Sequence, residues 1–197
     1  MSQRQPQHDV LPLFVDRWSP RAFRPQALAE KDLAPLLEAA RWAPSAFNGQ
    51  PWRFLWALRE RPQWEVFLDL LVPANQTWAQ HAGALLVVLS RQRSEHKDRP
   101  APTHSFDAGA AWMSLALQAT ASGLAAHAMA GFDAARARTA LTIPEVYAID
   151  AMVAIGWPGD RERLPEALRE REVPSGRRKI SELAFEGPYP ADASGST

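Results

Sequence analysis

Residues 105–132, SFDAGAAWMSLALQATASGLAAHAMAGF, carry the strongest structural signal in the chain. Over residues 105–121, apolar and small side chains lie on nearly all sides of a helix. This pattern predicts a buried central helix rather than an amphipathic helix at the surface. Gly123 is a predicted helix stop, and LAAHAM, which follows it, predicts a strand. A layered fold containing both helices and strands is therefore expected.

Helices and strands alternate on both sides of this segment. Strands are predicted from one alternating aromatic stretch and two continuous apolar runs, over residues 52–58, 84–89 and 150–158. Helices are predicted over residues 28–42, over residues 65–82 with a break near Pro73, and from Asp133 to a stop at Pro144. The alternation indicates an α+β or α/β sandwich.

The composition is that of a globular protein without a dominant charge. Of 197 residues, 46% are hydrophobic and 22% are charged, and the formal net charge is zero. This balance removes the usual electrostatic argument for nucleic-acid or polybasic membrane binding. We expect a single domain over residues 1–197, with a core over about 10–186 and a loose tail over 187–197. Residues 91–104 are expected to form a charged, exposed loop.

Several kinds of chemistry are excluded because their residues or motifs are missing. The chain has no cysteine, which removes disulfides, thiol nucleophiles and cysteine metal sites. It also lacks metal-type histidine spacing, a nucleophile elbow, a P-loop and a Rossmann glycine fingerprint. An enzyme of this sequence would therefore need a bound cofactor as its reactive centre. Without a signal-peptide pattern or a long apolar run, a cytoplasmic location is expected.

Three separated clusters combine basic and polar side chains: RWSPRAF (17–23), APSAFNGQPWRF (43–54) and SGRRK (175–179). Two guanidiniums that flank a hydroxyl suit a phosphate, because arginine donates in a bidentate fork. A rigid polar loop suits hydrogen bonding to a planar heteroaromatic ring. Taken singly, each cluster is more often an ordinary turn, connection or solvated loop. His127, within an apolar run, is expected to be a satisfied core or rim histidine.

In their order along the chain, the motifs resemble those of the FMN-dependent nitroreductase family. RWSPRAF matches its Arg-x-Ser-x-Arg/Lys opening, and AARWAPSAFNGQPWRF matches its most specific segment. DAGAAWMSLALQA, GLAAHAMAGFD and IPEVYAIDAMVAIGWP match further segments, so the resemblance spans residues 17 to about 184. It implies an α+β fold with a mixed sheet flanked by helices. It also implies an intertwined homodimer with FMN at the interface and NAD(P)H as electron donor.

The resemblance also implies roles for individual residues. At the phosphate and ribityl end of FMN, it places Arg17, Trp18, Ser19, Arg177 and Arg178. At the pyrimidine side it places Arg21 and Asn75. Lining the ring from the other subunit are Pro44, Ser45, Asn48 and Gln50, while the backbone of Met129, Ala130 and Gly131 faces flavin N5 and O4. No side-chain acid or base is implied, because the flavin itself carries out the redox chemistry.

The implied reaction is hydride transfer through flavin N5 from NAD(P)H to nitroaromatic, quinone or similar small acceptors. A related enzyme of the dehalogenase or flavin-destructase type is one alternative. A flavin-storing or flavin-sensing protein without turnover is another, and a structural protein without flavin is a third. Ala130 stands where several family members carry an acidic residue, and the chain lacks the long helical insertions of some relatives. The acceptor and the choice between NADH and NADPH stay open.

Overall fold

Four strands form one sheet in the computed structural model, which describes residues 4–95 and 98–190. The strands are β1 (Trp52–Leu58), β2 (Ala84–Arg91), β3 (Ala125–Met129) and β4 (Tyr147–Gly156), in the order β1-β2-β4-β3. Every neighbouring pair is antiparallel. The α+β class is confirmed, but over the described residues the sheet is antiparallel rather than mixed. The reason is that β4 lies between β2 and β3 and runs antiparallel to both. Strands β2 and β3 are therefore parallel to each other but are not neighbours.

Seven α-helices accompany the sheet in the described part of the chain. They are α1 (Pro12–Asp16), α2 (Glu30–Arg41), α3 (Trp64–Asp69), α4 (Pro73–Ala79), α5 (His104–Ala121), α6 (Ala134–Ala140) and α7 (Glu166–Arg169). The helix predicted over 65–82 is two helices, because Pro73 occupies the first turn of α4 and cannot continue α3. None of the helices described is both long enough and apolar enough to cross a membrane.

Two apolar layers cover the two faces of the sheet. On one face, α5 packs with α2 through small and aliphatic side chains such as Ala111, Leu115 and Leu36, all fully buried. On the other face, Trp78 of α4 packs in a cluster with Phe23 and Met129. Small residues on α5 let the helix approach the sheet closely. The helix predicted over 105–121 is confirmed, but in the single chain it is buried on one face only, since Phe106 is 81% exposed and Met113 is also exposed. Each buried Leu stabilises the fold by about 1.5–3 kcal/mol.

The segments between helices and strands explain where the observed ends of these elements agree with the predicted ends and where they differ. Gly123 has φ +73°, as a helix stop requires. Asp133 caps α6 by accepting the Arg136 amide N–H at 2.9 Å. The strand predicted from residue 150 begins at Tyr147, because its first residues pair with the end of β2. Within the predicted loop 91–104, Arg93 forms an isolated bridge with Pro100. Most of the predicted tail, residues 191–197, lies outside the described residues.

Candidate functional site

The turn over residues 17–21 places Arg17 and Ser19 side by side. Helix α1 ends at Asp16, and the Arg17 amide N–H donates to Leu13 O at 3.1 Å, which caps the helix. Arg17 Nη1 then donates to Ser19 Oγ at 3.3 Å. The chain thus brings a guanidinium and a hydroxyl together, the pairing that the sequence predicted for a phosphate.

Arg4, which the sequence analysis missed, ties this turn to both ends of the described chain. Its Nη1 donates to Val15 O at 2.6 Å and to Arg17 O at 2.7 Å. Its Nε donates to Ser175 O at 3.0 Å, across 171 residues of sequence. Three carbonyls from two distant segments therefore converge on one guanidinium, and the SGRRK loop is joined to the 17–21 turn. No local pattern in the sequence around Arg4 predicts these contacts.

The result is a group of like charges. Burial lowers the pKa of Arg17, and the nearby charges of Arg4 and Arg177 lower it further. Burial and Arg177 likewise lower the pKa of Arg4, while Asp16 raises it. Guanidiniums that disfavour one another in this way favour an anion between them. This environment fits the phosphate that the resemblance implied for Arg17 and Arg177.

Arg177 and Arg178 differ in what they contact. Arg177 Nη1 donates to Ser175 O at 3.2 Å and to Gly176 O at 2.8 Å, which fixes its side chain within its own loop. Arg178 is exposed and lines a cleft of about 450 Å³ together with Arg4, Arg177, His8 and Phe14. The cleft lies between the segment that follows residue 4 and the SGRRK loop. Both arginines thus lie near Arg4, and the charge of Arg177 also lowers the pKa of Arg17.

Arg21 faces a partner that sequence reasoning did not identify. Glu172 is 5% exposed, and its Oε1 accepts the amide N–H of Arg21 at 2.6 Å and that of Ala22 at 2.8 Å. Its Oε2 lies 3.8 Å from Arg21 Nη1. Glu172 lies in the charged stretch EALREREVP, and no feature of the sequence distinguishes it from the exposed glutamates nearby. Its burial follows from the tertiary structure alone.

His127 on β3 lies against the same turn. Its Nδ1 is 2.9 Å from Pro20 O, and its ring centroid is 4.7 Å from that of Trp78. Burial lowers its pKa, and the charges of Arg21 and Arg17 add to this, whereas contacts with the Pro20 and Ser19 carbonyls raise it. The expectation of a satisfied histidine at the rim of the core is confirmed.

Asn75 and Gly131, distant in sequence, are in contact. Asn75 Nδ2 donates to Gly131 O at 3.0 Å, and the Val72 amide N–H donates to the same carbonyl at 3.1 Å. A Cβ atom at Gly131 would meet Asn75 Nδ2 at 2.6 Å, so a side chain there would displace the amide. Asn75 therefore fixes the backbone after β3, beside the exposed Ala130 and the buried Met129.

The loop that contains Pro44, Ser45, Asn48 and Gln50 has a different character. It is largely exposed, and Phe47, Asn48 and Gln50 have φ of +52°, +55° and +45°. Ser45 Oγ accepts the Gln50 amide N–H at 3.0 Å, and Asp107 Oδ2 accepts that of Ala46 at 3.2 Å. Among the described residues, no hydrogen bond joins residues 44–50 to the 17–21 turn or the SGRRK loop. Within one chain, this predicted part of the site stays separate.

Comparison with known proteins defines the class to which this fold and site belong. The nitroreductase family model matches residues 15–64 and 55–157. A protein named NADH dehydrogenase from Thermus thermophilus is 30% identical over 84% of this chain and 96% of its own. An oxidoreductase crystal structure that contains FMN is 47% identical, with a TM-score of 0.92 over 95% of this chain and 96% of that one. A nitroreductase from Desulfovibrio desulfuricans in complex with FMN is 25% identical, with a TM-score of 0.70 over 94% and 100% of the two chains.

These matches place the protein among the α+β oxidoreductases. The chain belongs to the nitroreductase family. The family membership predicted from RWSPRAF and APSAFNGQPWRF is confirmed.

Proposed function

We propose that the protein is an FMN-dependent oxidoreductase that oxidises NAD(P)H and reduces small acceptors such as nitroaromatics or quinones. The observation that carries the proposal is the bond between Arg17 and the Ser19 hydroxyl, in a turn that Arg4 ties to the SGRRK loop. The charges of Arg4 and Arg177 both lower the pKa of Arg17. Relatives that contain FMN support the choice of cofactor. The proposed cytoplasmic location and single-domain organisation stay predictions.

The residues present fit the phosphate end of FMN. A phosphate monoester carries about two negative charges near neutral pH and accepts charge-assisted hydrogen bonds. Arg17 and Arg177 would supply the charge, and Ser19 and Trp18 would contact the phosphate and ribityl chain. Arg178 lines a cleft with Arg4 and Arg177. A like-charge group of this kind is relieved when an anion binds.

The residues proposed for the ring end divide into two groups. Asn75 holds the Gly131 carbonyl, and so orients the backbone of Met129, Ala130 and Gly131 whose amides would face the ring. Arg21 would lie at the pyrimidine edge and stabilise negative charge there. FMN, when bound, supplies the two-electron chemistry between the nicotinamide and the acceptor. The protein binds and orients the reactants and sets the electrostatic environment of the ring.

The second group of residues requires a second copy of the chain. Pro44, Ser45, Asn48 and Gln50 lie on an exposed loop whose described hydrogen bonds stay clear of the basic cluster. We therefore propose a homodimer in which this loop of one copy completes the site of the other. Exposed aromatic side chains near the loop, Trp42 at 74% and Phe106 at 81%, fit burial against a partner.

The proposal is tested on the purified protein. It should be yellow and release FMN, not FAD, on denaturation. Anaerobic addition of NADH or NADPH should bleach the flavin absorbance, and a nitroaromatic or quinone should restore it. A preparation that stays colourless after incubation with FMN would refute the assignment.

Two alternatives are separated by the same assays. A flavin-storing protein would bind FMN but show no steady-state oxidation of NAD(P)H. A dehalogenase-type or flavin-destructase-type enzyme would consume reducing equivalents without forming the reduced nitro or quinone product, which product analysis detects.

A further inference from the structure

A buried carboxylate lies directly behind the 17–21 turn, and no role proposed above uses its charge. Glu172 is 5% exposed, and its Oε1 accepts two amide N–H groups, from Arg21 and Ala22. Its Oε2 is buried without a hydrogen-bond partner, 3.8 Å from Arg21 Nη1. The two oxygens of one carboxylate thus have different surroundings.

A structural role accounts for Oε1 only. The two amide donors would be satisfied equally well by a neutral glutamine oxygen. A buried carboxylate oxygen without a donor costs free energy, so its retention needs an explanation. Two backbone amides and the Arg21 guanidinium face the carboxylate of Glu172. Little water screens the pair on the carboxylate side, because the Glu172 side chain is 2% exposed.

Arg21 is oriented by this arrangement and is only partly neutralised by it. At 3.8 Å the guanidinium makes no hydrogen bond with Oε2, and 23% of its side chain stays exposed. The carboxylate is fixed by its bonds to the backbone of Arg21 and Ala22, which keeps it beside the Arg21 side chain. A negative charge there reduces the positive charge that Arg21 presents outward.

We propose that Glu172 is a positioning residue that holds Arg21 in place and lowers the midpoint potential of bound FMN by offsetting its positive charge. This inference rests on the proposed function, in which Arg21 lies at the pyrimidine edge of FMN. That edge is anionic in reduced FMN near neutral pH, so a stronger cation there favours the reduced form. Removing the Glu172 charge should therefore raise the potential.

Glu172→Gln isolates the charge from the backbone contacts. The glutamine oxygen can still accept from both amides, and only the negative charge is lost. We expect the reduced form of FMN to be favoured about tenfold more than in the wild type. For a two-electron couple this corresponds to a rise of about 30 mV in the midpoint potential. Arg21→Gln should change the potential in the opposite direction.

The experiment is a spectroelectrochemical titration of the FMN-saturated protein. It compares wild type, Glu172→Gln, Arg21→Gln, the double variant and the control Glu145→Gln. Glu145 Oε1 lies 3.6 Å from Arg138 Nε and its side chain is 89% exposed, so this control removes a paired glutamate charge away from the site. The control should leave the potential unchanged. In the Arg21→Gln background, the effect of Glu172→Gln should fall to less than half.

Two results would overturn the inference. One is an unchanged potential in Glu172→Gln that binds FMN with wild-type stoichiometry. The other is an equal shift in the presence and absence of the Arg21 guanidinium. If Glu172→Gln unfolds, Glu172→Asp retracts the charge by one methylene and should raise the potential by a smaller amount, and no rise would also overturn it. A wild-type protein that takes up no FMN would instead refute the proposed function, on which the inference depends.

Discussion

The basic turn and the 44–50 loop form two parts of one proposed site, yet they are built in opposite ways. The turn is held by contacts from residues distant in sequence: Arg4, which also bonds Ser175, and Glu172. The loop is held mostly by hydrogen bonds between its own residues, and it places three residues at positive φ. The first part is organised by the fold of one chain. The second is displayed outward, and its strained backbone gains an explanation only if another surface covers it.

The most severe test of this comparison changes the tip of the exposed loop. Phe47 is fully exposed at φ +52°, a conformation that aspartate tolerates better than phenylalanine. Phe47→Asp should leave the single chain folded but weaken the dimer by at least about 30-fold, as loss of an interface hot spot does. Sedimentation at micromolar protein measures this, and retained FMN should fall in parallel. Thr142→Asp, at another exposed residue with φ +50°, is the matched control.

A wild-type monomer that holds FMN would contradict the proposal that the 44–50 loop completes the site of a second copy, because the site would then be complete within one chain.

The next test concerns the part that one chain organises. Arg17→Ala removes a charge-assisted phosphate contact, which costs about 1.5–3 kcal/mol and weakens FMN binding on the order of ten- to a hundredfold. Riboflavin, which lacks the phosphate, should bind the variant almost as well as the wild type. Fluorescence titrations with both flavins measure the ratio, and Arg24→Ala at an exposed neighbour serves as control. Equal losses for both flavins would place Arg17 away from the phosphate.

Arg4 gives a smaller effect of the same kind. Arg4→Ala removes the bonds that join the 17–21 turn to the SGRRK loop, and we expect FMN affinity to fall about two- to tenfold. Arg4→Lys keeps the charge but cannot bond three carbonyls from a planar fork, so it should recover only part of the affinity. Full recovery in Arg4→Lys would show that the charge of Arg4 matters and that its hydrogen bonds to the three carbonyls do not.

The smallest effect is expected from His127. Because burial lowers its pKa from 6.5 in the folded protein, the unfolded chain binds more protons below pH 6.5. The free energy of unfolding should therefore fall as the pH drops from 6.5 towards the folded pKa, by at most about 1.4 kcal/mol per pH unit. Urea titrations between pH 7 and 5 should show a shallower slope for His127→Gln. His8→Gln, exposed on the N-terminal segment, should keep the wild-type slope.

Much of the fold could be predicted because it depends on local patterns. A few residues of sequence are enough to recognise the continuous apolar run of β2, the small residues of α5 and the helix stop at Gly123. The pairing of strands could not be predicted in the same way. Strand β4 enters between β2 and β3, and no residue of β4 specifies its neighbours on its own.

The candidate site shows the same division. Arg17, Ser19, Asn75 and Gly131 were predicted for the site from motifs, and the structure brings Arg17 to Ser19 and Asn75 to Gly131. Arg4 and Glu172 were missed, because each acquires its role from contacts across 150 residues or more. Both lie in charged or polar stretches that are typical of solvated surface. What distinguishes them from their neighbours in sequence is contact with distant residues, which a short motif cannot predict.

The hydrogen bonds of Arg4 also determine when this part of the fold can form during synthesis of the protein. Arg4 is synthesised before Ser175, whose carbonyl emerges 171 residues later. Proteins whose contacts join distant residues form those contacts late, because a long loop must close first. At translation rates of about 5–20 residues per second, Arg4 waits roughly ten seconds or more for Ser175. The contact that joins this turn to the SGRRK loop can therefore form only after all four strands described above have been synthesised, since β4 ends at Gly156.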